Sequence, residues 1–173
     1  MRKNKRGIER EIILTIYRQL FSCNPSRSTL ERVGMNRKAR ILIVEDDTPL
    51  AMMMVSLLTR GGCDVQTAWN AEKAMRRAED EDFDLITLDI DLPRTNGFEI
   101  CSRLKENPRS CDTPIVFVSG RPHDVDRQRA FELGAVDYIS KPFQTLEFVP
   151  RILSHIIRRA SAADMDIEVP IES

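Results

Sequence analysis

The heptapeptide ILIVEDD, residues 41–47, decides how this chain folds. Four apolar residues, three of them β-branched, run straight into the carboxylates Glu45, Asp46 and Asp47. A short, wholly apolar run suits a strand buried on both faces, as in a parallel sheet covered by helices. The charges at its carboxyl end then fall on the rim where open α/β sheets place their ligands. Three later runs end in the same way. LITL (85–88) meets Asp89, IVFV (115–118) meets Ser119-Gly120, and DYIS (137–140) meets Lys141-Pro142-Phe143.

Working outward, strands are predicted at 40–44, 64–68, 85–89, 115–118 and 137–140. Helical patterning fills the intervals at about 49–60, 71–80, 98–106, 124–133 and 145–159. Thr48 is the expected cap of the first of these, with Pro49 in its first turn; Asn70 and Asp124 are expected to cap the second and fourth. Gly61-Gly62 and Gly134 are the stop signals, and a loop holding Pro93 and Asn96-Gly97 follows the third strand. Five βα units with short loops predict an α/β fold: a doubly wound, five-stranded parallel sheet with helices on both faces. Right-handed crossovers favour the order 2-1-3-4-5, which sets the first and third strands side by side.

That order brings Glu45 and Asp46 to Asp89. Crowded carboxylates raise one another's pKa, and a divalent cation removes the conflict. A few hard oxygen donors suit Mg²⁺ better than zinc. Asp47 is the exception, since it can face the start of the helix instead. A lone carboxylate such as Asp89 can attack phosphorus and hold a phosphoryl group as an acyl phosphate. The Lys141 ammonium could neutralise the phosphoryl oxygens, and the Ser119 hydroxyl could hydrogen-bond one of them. A serine or a Lys-Pro pair after a single strand would signify only a turn; their joint occurrence at successive strand ends carries the functional reading.

Composition is that of a globular domain, with 42% hydrophobic and 31% charged residues among 173. The net charge of −1 hides an asymmetry: residues 1–40 hold eleven Lys and Arg against three Glu, and the rest is net acidic. Residues 1–37 read as a basic extension in which Ile8, Ile12, Ile13, Ile16, Tyr17, Leu20 and Phe21 predict an amphipathic helix over 8–21. Its expected role is packing on the domain or on a second copy, unless Met35 is the true start. Residues 38–160 form the domain proper, and residues 161–173 an acidic, frayed tail. Four cysteines without C-x-x-C spacing, no secretory signal and no run long enough to span a bilayer point to reduced thiols and a cytoplasmic location.

The pieces ILIVEDD (41–47), LDIDLPRTNG (88–97), VSG (118–120) and GAVDYISKPF (134–143) resemble the receiver domains of two-component response regulators. The separations of 43, 30 and 22 residues between Asp46, Asp89, Ser119 and Lys141 agree with that family. The resemblance spans residues 38–160 and implies the flavodoxin-like order of strands. It implies that Asp89 is the phospho-acceptor, that Glu45 and Asp46 bind Mg²⁺ with Asp89, and that the main-chain carbonyl of Asp91 is a further ligand. Ser119 matches the hydroxyl that swings toward the phosphoryl group, Lys141 the site's lysine with a cis bond to Pro142, and Tyr138 the aromatic switch. Asp91 and Arg121 fall where the family tunes dephosphorylation. The implied partners are a sensor histidine kinase or phosphotransfer protein, docking near the Met-rich first helix, and an unidentified downstream protein.

Two other metal-dependent classes share part of the pattern. A haloacid dehalogenase-type phosphatase also uses Asp-x-Asp, but on its first strand, whereas Asp89-x-Asp91 lies on the third. A topoisomerase–primase-like metal domain would use Glu45, Asp89 and Asp91 but not Ser119 or Lys141, and the acidic charge of 41–173 opposes nucleic-acid binding. A pseudo-receiver would lack part of the set that is complete here. Too little chain follows Arg159 for an output domain, so the expectation is a stand-alone receiver that is not an enzyme. It would signal through the fourth helix, fifth strand and fifth helix, with a homodimer as one mode.

Overall fold

Strand β1 (Arg40–Val44) has its last four residues buried, because the sheet is covered on both sides. Alternate side chains feed two cores. Ile41 and Ile43 face α1 (Thr48–Arg60) and α5 (Thr145–Met165), where they meet Met54, Leu58, Phe148 and Ile152. Leu42 faces the opposite layer, with Ala74 and Met75 of α2 (Ala71–Asp80), Cys101 and Leu104 of α3 (Gly97–Glu106) and Ala130 of α4 (Asp124–Glu132). This is the computed structural model of the chain, and it describes residues 37–121 and 123–165, with side chains to Arg159. The expected helix over 8–21 and the tail beyond Met165 lie outside the described residues.

The remaining sheet strands are β2 (Asp64–Ala68), β3 (Leu85–Leu88), β6 (Ile115–Ser119) and β7 (Asp137–Ser140). The order is β2-β1-β3-β6-β7, all parallel, which is the expected 2-1-3-4-5 once two short strands are counted separately. Those two, β4 (Asp91–Leu92) and β5 (Thr95–Asn96), make an antiparallel hairpin where a plain loop was expected. Pro93 and Arg94 turn the hairpin, and Arg94 takes a φ of 64°, unusual for a residue with a side chain.

Helix starts differ from expectation by single residues. Asp47, not Thr48, caps α1: its Oδ1 accepts the Leu50 N–H at 2.9 Å, and Thr48 is already helical. Asn70 caps α2 as expected. The α4 cap position belongs to His123, which makes no side-chain cap bond, and Asp124 is the first helical residue. Helix α5 continues to Met165, six residues past its expected end and into the segment read as a frayed tail.

Candidate functional site

Four of the five parallel strands, β1, β3, β6 and β7, deliver a polar group to the rim at their carboxyl ends. Asp89 follows β3 directly, and its N–H still donates to Val44 O at 3.0 Å, so the ladder holds it beside the end of β1. Glu45 is fixed from the other side by its N–H on Ala68 O at 2.9 Å. A close contact below supports this arrangement. Gly97, the first residue of α3, donates to Ile90 O at 2.9 Å, and a Cβ added there would stand 2.1 Å from Asp89 O. Only glycine allows the hairpin and α3 to press this closely on the main chain of Asp89.

Carboxylate oxygens of Glu45, Asp46 and Asp89 lie within 4.8 Å of one another. Glu45 and Asp89 are buried and Asp46 is exposed to solvent. The Lys141 ammonium sits between the two buried acids, 2.7 Å from Glu45 Oε2 and 2.7 Å from Asp89 Oδ2. The Lys141–Pro142 bond is cis. Burial opposes the ammonium, but its hydrogen bonds and charge attraction to Asp89 and Glu45 prevail and raise its pKa. For Glu45 burial dominates and lifts the carboxyl to about 7, against the pull of Lys141 and with help from the Asp89 charge. One cation thus faces three carboxylates. The excess negative charge and the all-oxygen donor set fit a hard divalent ion such as Mg²⁺.

Ser119 is fully buried and its Oγ accepts the Arg121 N–H at 3.3 Å. Tyr138 is also buried, in the inward position: its hydroxyl donates to Arg121 O at 2.6 Å, and its ring lies 6.4 Å from that of Phe117. Burial raises the pKa of the phenol. Asp91 departs from the other acids. Its side chain is half-exposed and turned to Arg121, whose hydrogen bonds hold that carboxyl below the usual range. Arg121 is therefore a hub that sequence reading noted only by position. The signal was the charge opposition of two residues, each two places past a site residue.

A family model for the response regulator receiver domain matches residues 41–153. The chain belongs to the receiver domain family. This receiver domain is 37% identical over 129 residues to the alkaline phosphatase synthesis transcriptional regulatory protein PhoP of Bacillus subtilis, covering 75% of this chain and 52% of that protein. The chain thus spans about half the length of the curated relatives it matches. Among solved structures, the non-phosphorylated HemR receiver domain of Leptospira biflexa is 32% identical with a TM-score of 0.63, over 78% of this chain and all of that one. The receiver domain of the sensor histidine kinase PA1611 of Pseudomonas aeruginosa, solved with a magnesium ion in its active-site cleft, is 27% identical with a TM-score of 0.64, over 70% and 98%. The chain is a receiver domain of two-component signalling.

Proposed function

We propose that this receiver domain accepts a phosphoryl group on Asp89 from a phosphohistidine of a sensor histidine kinase or phosphotransfer protein. The observation that carries this is the buried Asp89 carboxylate, 2.7 Å from Lys141 Nζ and within 4.8 Å of Glu45 and Asp46. An Asp89 oxygen attacks phosphorus, the P–N bond breaks, and the imidazole leaves with its electron pair. Glu45, Asp46, Asp89 and the Asp91 carbonyl would hold Mg²⁺, which when bound neutralises charge on the phosphoryl oxygens. Lys141 stabilises the charge that develops on the phosphoryl group, and the Ser119 hydroxyl, at the end of the strand next to β3, turns toward it.

The acquired charge is read out through Tyr138 and the surface of α4, β7 and α5. Phosphorylation shifts a pre-existing equilibrium there toward homodimerisation or capture of a downstream protein. Met52 and Met53, exposed on α1, suit the docking of the phosphoryl donor. The module is a cytoplasmic signalling switch rather than an enzyme, and works without direct contact to nucleic acid. Among the described residues no helix is long and apolar enough to cross a membrane.

Intact-mass spectrometry after incubation with Mg²⁺ and phosphoramidate tests the reading. Wild type is expected to gain one phosphoryl group, and Asp89→Asn, or wild type with EDTA, none. No adduct on wild type, together with no response to beryllofluoride, would refute it.

A further inference from the structure

Beside the edge strand β2, a groove of about 750 Å³ runs between α1 and α2. Its apolar wall is Met52 and Val55 of α1 with Val65 of β2, and Ser56 of α1 and Glu81, just past α2, stand on its rim. Met52 is 68% exposed, while its neighbour Met53 lines a different cleft with Pro49 and Phe143. The foot of the groove is acidic: Glu79, Asp80, Glu81, Asp82 and Asp84 follow one another closely, and Glu79 and Asp80 are exposed. The basic extension joins the domain at this same corner. Arg37 Nη1 and Nη2 each lie 2.6 Å from an oxygen of the Asp84 carboxylate. Arg40 pairs with Glu81, which in turn accepts from Gln66 Nε2 of β2 at 2.7 Å. Charge contacts thus lead without a break from the end of the extension to the wall of the groove.

We propose that residues 8–21 of this same chain occupy the groove as an amphipathic helix, with the stripe from Ile8 to Phe21 laid on Met52, Val55 and Val65. The dimensions agree: a helix over 8–21 is about 21 Å long, and α1 offers a wall of about 20 Å. The connection is long enough, since residues 22–36 extend up to about 50 Å, against a radius of gyration of about 14 Å for a domain of this size. The charges are complementary. Arg2, Lys3, Lys5 and Arg6 precede the helix and meet Glu79 and Asp80 at the foot of the groove, and residues 22–36 return to Arg37. The other exposed apolar pair, Val125 and Phe131, belongs to α4, which packs on β7 at the far edge of the sheet from Arg37 and the acidic run. Seated beside β2, the segment screens Met52 from the phosphoryl donor, a consequence that rests on the docking face proposed for that donor.

Methionine oxidation footprints the groove. The full chain and its Ile12→Ser/Ile16→Ser variant are treated with dilute hydrogen peroxide at several protein concentrations, and the sulfoxide at each methionine is read by peptide mass spectrometry. Met52 is expected to oxidise about threefold more slowly in wild type, as when about two molecules in three are covered, and Met53 at the same rate in both. Ser56→Arg sets bulk and a like charge on the rim and should uncover Met52 as the double variant does, whereas Ser56→Glu should leave it protected. Equal Met52 rates in wild type and Ile12→Ser/Ile16→Ser overturn the proposal, as does protection that survives Ser56→Arg. Protection shared equally by Met53 would place the segment elsewhere on α1. Protection that grows with protein concentration would assign the groove to a second copy. Either result also overturns it.

Discussion

Glu45 should make Mg²⁺ binding depend on pH across the neutral range. Burial lifts its carboxyl from 4.5 to about 7 in the metal-free protein. A divalent ion must displace that proton, so affinity rises with pH until the group is ionised and then levels off. With a pKa of about 7, roughly ten elevenths of the molecules are protonated at pH 6 and one eleventh at pH 8. The apparent Kd should therefore fall by about tenfold between those values. Calorimetry in two buffers of different ionisation enthalpy should show close to one proton released at pH 6 and almost none at pH 8. Trp69, the single tryptophan, gives a second readout, because it follows Ala68, whose carbonyl binds Glu45 N–H. The sign for stability is the reverse. Folding raises this pKa, so the metal-free folded state holds the extra proton between pH 4.5 and 7 and loses about 3 kcal/mol of stability as pH climbs through that window. Glu45→Gln should remove both slopes. Equal Mg²⁺ affinity of wild type at pH 6 and 8, or a slope that persists in Glu45→Gln, would refute the assignment.

Lys141→Met should cost the metal-free protein about 3–5 kcal/mol, because the buried Asp89 carboxylate loses its counter-charge while Glu45, freed from the pull of Lys141, takes up a proton more readily. Urea unfolding with and without Mg²⁺ checks this: the ion should recover much of the loss, and equal stability of variant and wild type would contradict it. Gly97→Ala should cost more than about 2 kcal/mol, since the new Cβ would meet only main-chain atoms, at 2.1 Å from Asp89 O and 2.8 Å from Ile90 Cα. A melting temperature like that of wild type would show that the hairpin and α3 can separate freely.

The central strands were legible because burial on both faces leaves an uninterrupted apolar run, as in ILIV and IVFV. Strand order brings Glu45 and Asp46 beside Asp89, and the long Lys141 side chain reaches them across β6. Caps were harder. Asp47 and Thr48 are adjacent and both chemically able, and only the main-chain path decides which precedes the first helical turn. The end of α5 was missed because Ala160, Ser161, Ala162 and Ala163 mark a change in composition but contain nothing that breaks a helix. Two-residue strands leave no periodic signal, and Arg94 occupies a turn position where glycine would have announced itself. The Asp91–Arg121 pair joins residues 30 apart, and its formation depends on how far the loops after β3 and β6 lean toward each other.

The way Tyr138 is held has a further consequence for the outer edge of the sheet. Among the described residues strand β7 has a neighbour on one side only, and an open edge invites another chain to add a strand. Here the middle of that edge is already engaged by side chains. The Tyr138 N–H donates to Asp137 Oδ1 at 2.8 Å, and its carbonyl accepts from Arg127 of α4 at 3.1 Å and Arg151 of α5 at 3.3 Å. Arg151 and His155 in turn bind the Asp137 carboxylate, at 2.6 Å and 3.1 Å. A four-residue edge is thus interrupted near its middle, and the face through which the switch would meet its partners is guarded against the amyloid-like, edge-to-edge growth that a bare strand permits.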